Sequence, residues 1–188
     1  MSRLNGDRQD AGNKKESQAT AIVRLVNEAR AELFHTPSGD PYISIHVNGH
    51  HEHYPLGNRG CRDYLTRLYY LDSGKAPNAS ALQDAIGTLS GSARFEGDEH
   101  DVHVRVAGND DRIYLDLCDS QWRAIEITSN DWKVISDPPV RFRRPRGVLP
   151  LPVPTRGGSL KQLRPFLNIS TDDEFVLTGP CLSSGGKV

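Results

Sequence analysis

Residues 112–147, RIYLDLCDSQWRAIEITSNDWKVISDPPVRFRRPRG, are the stretch whose reading decides the fold. Ile113, Leu115 and Leu117 alternate with Tyr114 and Asp116, and Trp122, Ala124 and Glu126 alternate with Ile125 and Ile127. That period of two is the mark of strands. Cys118-Asp119-Ser120-Gln121 joins the first pair, and Ser129-Asn130-Asp131 leads into a third run, Trp132-Lys133-Val134-Ile135. Connections this short imply antiparallel pairing, so the three runs form a meander. The sheet stops at Asp137-Pro138-Pro139, because proline has no N–H to give to a ladder. The exit, Val140-Arg141-Phe142-Arg143-Arg144-Pro145-Arg146, is strongly basic.

Upstream, Ala19, Ile22, Val23, Leu25, Val26, Ala29, Leu33 and Phe34 recur at three- and four-residue spacings, which predicts one long amphipathic helix from Ser17 to the breaker cluster His35-Thr36-Pro37-Ser38-Gly39. Asn48-Gly49 between Pro41-Tyr42-Ile43-Ser44-Ile45-His46-Val47 and His50-His51-Glu52-His53-Tyr54-Pro55-Leu56 predicts a hairpin with a type I′ turn. Asn58 to Ser73 returns to helical spacing and is closed by Gly74. Asn78 or Ser80 caps a further helix whose apolar stripe, Ala81, Leu82, Ala85, Ile86 and Leu89, ends before Gly91. The alternation of Val102, Val104 and Val106 predicts a strand ahead of the meander. The fold class is therefore α+β: helix, β-hairpin, two helices, then a four-stranded antiparallel run ending near Arg143.

The domain occupies residues 17–144. Residues 1–16 are polar and glycine-bearing and are expected to be disordered, while 145–188 form a Pro/Gly-rich basic linker and tail. In a chain of 188 residues and net charge −1, seven basic and no acidic residues fall between Val140 and Arg164, which leaves the remainder at −8. Net charge thus gives no hint of a nucleic-acid binder, but the charge distribution makes this segment a candidate for one. Cys61, Cys118 and Cys181 are odd in number and contain no CxxC, so neither a disulfide framework nor a zinc ribbon is expected. Without an apolar N-terminal run or a membrane-length segment, the expected setting is cytoplasmic, with no membrane partner.

Three chemistries compete. Arg141, Arg143, Arg144, Arg146 and Arg156 display guanidinium groups at intervals suited to a polyanion, with weak, sequence-independent binding, and Phe142 either stacks on a base or packs into the core. The competing account of the same run is a solvated basic linker. His46, His50, His51 and His53 invite a metal-dependent enzyme, but only Glu52 is near enough to complete a ligand set and it points to the opposite strand face. Asp110, Asp111, Asp116 and Asp119, with Glu126, offer an acid/base or magnesium site, but the turn aspartates are more simply turn formers, and alternation puts Asp116 and Tyr114 on one strand face. The terminal Ser184-Gly185-Gly186-Lys187-Val188 lacks the first glycine, the hydroxyl residue and the following helix of a phosphate loop, so no nucleotide or other cofactor is implied.

Several patches in order, Glu32-Leu33-Phe34-His35-Thr36-Pro37, Lys75-Ala76-Pro77, Ile113-Tyr114-Leu115-Asp116-Leu117, Trp122-Arg123-Ala124-Ile125-Glu126-Ile127, Val140-Arg141-Phe142-Arg143-Arg144 and Leu163-Arg164-Pro165-Phe166-Leu167-Asn168, resemble the N-terminal region of bacterial and phage-related P-loop ATPases associated with primases and helicases of mobile elements. The resemblance spans roughly residues 30 to 168 and contains none of the family's Walker motifs. It implies a non-catalytic accessory domain of a replication ATPase, truncated before its ATPase part, that contacts nucleic acid or a P-loop ATPase or primase partner. A protein-interaction module without nucleic-acid binding is the alternative from another class.

Overall fold

The computed structural model describes residues 16–168 together with 171 and 173. Of the tail expected at 1–16 all but Glu16, and of the segment expected at 145–188 the end beyond residue 173 with its degenerate phosphate-loop sequence, lie outside the described residues. The fold class is α+β, as the sequence predicts, and no described helix is long and apolar enough to cross a membrane.

The first helix is shorter than its apolar spacing suggests. α1 spans Gln18–Glu28, capped by the Ser17 side chain on the Thr20 N–H, and ends where Arg30 takes a left-handed φ of 53°. Leu33 and Phe34 belong instead to a strand, β1 (Glu32–His35). Nothing in Ala29-Arg30-Ala31 announces the stop, because the turn is made by an arginine where a glycine is usual. The alternation that follows puts Leu33 against the helices and buries Phe34 on the other face of the sheet.

β2 (Pro41–Val47) and β3 (His50–Pro55) form the expected hairpin, with Val47 paired to His50 and positive φ at both Asn48 and Gly49. α2 (Arg59–Ser73) is capped by Asn58 and closed by Gly74 at φ 66°. α3 (Ala79–Phe95), capped by Asn78, runs through Gly91 because the buried stripe continues from Leu89 to Ala93. The cost of a helical glycine, about 1 kcal/mol, is smaller than what that stripe gains by burial. Ile22, Val26, Ile43, Ile45, Leu65, Ile86 and Leu89 form the first core, between the three helices and one face of a sheet ordered β3-β2-β1-β4, whose last strand is the two-residue β4 (Asp98–Glu99).

The valine strand predicted over 102–106 is broken. Val102 and His103 form β5, Arg105 turns at φ 69°, and β6 (Val106–Asn109) starts afresh, leaving Val104 and Val106 exposed. β6, β7 (Arg112–Asp116), β8 (Ala124–Ile127) and β9 (Trp132–Ile135) make the four-stranded antiparallel meander. Trp122, expected inside a strand, sits in the loop before β8 with φ 54°. The exit segment forms β10 (Arg141–Phe142), which pairs in parallel with β5 rather than extending the meander.

The meander's Tyr114/Asp116 face is its inward one. Ala107, Tyr114, Ala124, Val140 and Phe142 make a second core, with Ile135 packed against it. Alanines at 107 and 124 leave room on that face for the ring of Phe142, delivered by the chain that leaves the sheet. The meander and the first sheet are joined by Arg141 of β10, which reaches Glu32 and Phe34, and by an edge-to-face contact of Tyr54 with Trp122, ring centroids 6.0 Å apart.

A close approach fixes how α3 feeds the first sheet. A Cβ on Gly97 would lie 2.5 Å from the Leu33 carbonyl oxygen and 2.7 Å from that of Ala93, both backbone atoms that cannot swing aside. Gly97→Ala is therefore expected to destabilise the protein by about 1–3 kcal/mol or more, while Gly87→Ala, which meets nothing, is neutral or stabilising. Urea denaturation of the two variants checks this, and equal stabilities would contradict it.

Candidate functional site

The six residues singled out in the basic exit split into two groups. Four serve the fold. Phe142 is 3% exposed and belongs to the second core. Arg141 bonds the Glu32 carboxylate at 2.6 Å and lies over the Phe34 ring at 4.8 Å. Arg156 forks onto Asp131 at 2.7 and 3.1 Å and covers Trp132. Arg144, whose side chain is 15% exposed, donates Nε–H and Nη2–H to the two oxygens of Asp116 at 2.9 and 2.6 Å and a third bond to the Asp119 carbonyl, while its plane lies 3.9 Å over Trp122. Alternation then turns Arg143 outward, and Arg146 beyond Pro145 is likewise exposed. Neither makes an ion pair among the described residues.

Arg143 and Arg146 line a groove of about 410 Å³ whose other wall is the start of α2, with Asn58, Arg59 and Gly60, and the ring of Tyr54. The Tyr54 ring lies so close to Gly60 that a Cβ there would be 2.5 Å from it, so the glycine sets the groove's wall. The Tyr54 hydroxyl donates to Glu52 at 2.5 Å, and burial together with that bond raises its pKa. Arg59 is 80% exposed and only loosely held by Asp63 at 3.6 Å. Arg59 carries no sequence signal of its own. It reaches the site because α2 begins beside the exit strand.

The histidines do not converge on a metal. His46 and His51 face each other across the hairpin with ring centroids 5.0 Å apart, while His50 lies on the other face and bonds Glu52 at 3.2 Å. His51 bonds Asp137 at 2.9 Å. Among the described residues no group of three or more histidine, cysteine or acidic side chains is placed to hold an ion. His53 is 8% exposed, and burial, reinforced by the charges of Arg141, His51 and His100 against that of Asp137, lowers its pKa to about 3.

The carboxylates and thiols also have structural work. Glu126 accepts bonds from Lys133, Arg112 and Tyr114, and the bond from Lys133 leads in holding its carboxyl below the usual range despite desolvation. Asp116 accepts from the Cys118 N–H and thiol as well as from Arg144. Burial, followed by that thiol bond, pushes Cys118 up to about 11, and burial also raises Cys61, so neither is an activated nucleophile. Asp119 closes the turn by accepting the N–H groups of Gln121 and Arg123, the turn-forming role expected of it.

Comparison of the chain with protein-family models, curated proteins and solved structures found no match.

Two outcomes test this placement. Phe142→Ala is expected to lower stability by about 3–5 kcal/mol, the usual cost of emptying a core aromatic site. The His53 shift has a definite sign: the unfolded chain takes up a proton below its ordinary pKa near 6.5, whereas the folded chain does not until about pH 3. Stability is thus full above pH 6.5 and falls as the pH drops through that window, by up to about 1.4 kcal/mol per unit. Urea titrations at pH 7 and pH 5 are expected to show this loss in the parent and a smaller one in His53→Gln; an equal loss would contradict the assignment.

Proposed function

We propose that the chain is a non-catalytic accessory module that contacts a nucleic-acid backbone through Arg143, Arg146 and Arg59. The observation that carries the reading is the split within one short segment. Arg144 is bolted inward to Asp116, and its neighbours Arg143 and Arg146 are thereby held outward, exposed and without acidic partners, beside the groove. Backbone phosphates are bound by such guanidinium groups without regard to sequence. The first-turn N–H groups of a helix add partial positive charge on the same wall. The likeness to the N-terminal region of primase- and helicase-associated ATPases supports the same role, with a replication ATPase or primase as the protein the module would serve.

This site is smaller than the six-residue one. Three guanidinium groups making one phosphate contact each give a salt slope of about −2 to −3, taking about −0.9 per contact on duplex and −0.7 on single strands. Fluorescence anisotropy on a labelled oligonucleotide, at low and then moderate salt, is expected to show weak binding with that slope. The triple variant Arg59→Gln, Arg143→Gln, Arg146→Gln should lose it, and Arg156→Gln should keep it. Absence of binding at low salt, or full binding by the triple variant, would exclude the nucleic-acid reading and leave a protein-docking module.

A further inference from the structure

Among the described residues, the buried side-chain polar atoms without a hydrogen-bond partner are Ser44 Oγ, His53 Nδ1 and Arg141 Nε. They come from three different strands, and the three residues line one pocket of about 220 Å³ on the face of the first sheet opposite the helices. Buried polar atoms are almost always hydrogen-bonded, so three unpaired ones on one cavity call for an occupant. Ser44 and His53 are directly opposed in the hairpin, and Arg141 is brought over them by β10.

We infer that this pocket is a binding site for a small organic carboxylate. Arg141 Nε–H can only donate, which excludes a cation and requires an acceptor on the ligand. Ser44 has a hydroxyl hydrogen free to rotate, and the neutral imidazole of His53 can carry its proton on Nδ1, so three donors are available to two carboxylate oxygens. The acidic side chains in the lining are already engaged, Glu32 by Arg141 and Asp137 by His51. Pro138, Pro139 and Val140 supply an apolar wall for the rest of the molecule. An apolar cavity of about 150 Å³ accommodates benzene, so about 220 Å³ suits a carboxylate of roughly ten heavy atoms.

The pocket adjoins the groove at α2 and shares His53 with it, but none of Arg59, Arg143 and Arg146 lines it, so the two readings are tested by different residues. The test titrates the full chain with benzoate and, in parallel, with benzamide, following the Arg141 Nε–H resonance by heteronuclear NMR. Benzoate is expected to shift that resonance saturably, with benzamide at least about tenfold weaker. Ser44→Ala, checked for an unchanged amide spectrum, should weaken benzoate about tenfold, the worth of one hydrogen bond to a charged acceptor. Shifts that stay linear with benzoate, as for a pocket filled by water only, or equal binding of benzoate and benzamide, would overturn the assignment. The comparison of the two ligands on the parent chain stands even if the Ser44 variant does not fold.

Discussion

The contact between Arg144 and Asp116 is the constraint on which the rest depends. Asp116 is 1% exposed, and a carboxylate at that depth is stable only when each oxygen is taken. Here both oxygens accept from the guanidinium fork, one accepts the Cys118 N–H as well and the other the Cys118 thiol. The cation uses three of its five N–H groups, two on Asp116 and one on the Asp119 carbonyl, and its face lies on Trp122. A pair so bonded is a device for specifying one arrangement of chain more than a source of net stability.

What it specifies is the path of the exit strand. With Arg144 fixed on the meander, Phe142 two residues earlier drops into the second core. Arg141 then turns the other way, onto Glu32 and Phe34 of the first sheet. One short strand thus ties the second core to the face of the first sheet opposite the helices. The same alternation leaves Arg143 facing solvent, so the structural use of two arginines dictates which others remain available for a partner.

The fold was legible wherever local chemistry decides it. Asn48-Gly49 set the hairpin register, and Asn58, Gly74 and Asn78 marked helix ends where the structure has them. It was illegible where tertiary packing overrode local pattern. Leu33 and Phe34 fit the stripe of α1 but lie in β1, because Arg30 makes a left-handed turn without glycine. In the meander the aliphatic positions Ile113 and Leu115 look like the core side, yet the face with Tyr114, Asp116 and Glu126 is the one covered by the exit strand. Charge counting found the basic segment but not its internal partners. Asp116, Glu32 and Asp131 are 28, 109 and 25 residues away from the arginines they hold, and no spacing rule reaches that far.

The central claim is that Arg144 and Asp116 act as one unit that seats the exit strand. A double-mutant cycle with Asp116→Asn and Arg144→Gln, measured by urea denaturation at neutral pH, tests it most directly. Each single change is expected to cost about 3–5 kcal/mol, as when a buried pair is broken from one side. The double variant should cost little more than either single, which corresponds to a coupling nearly as large as one single cost, about 3 kcal/mol or more. Additive effects, or single changes within about 0.5 kcal/mol of the parent, would show instead that the exit strand is held without this pair.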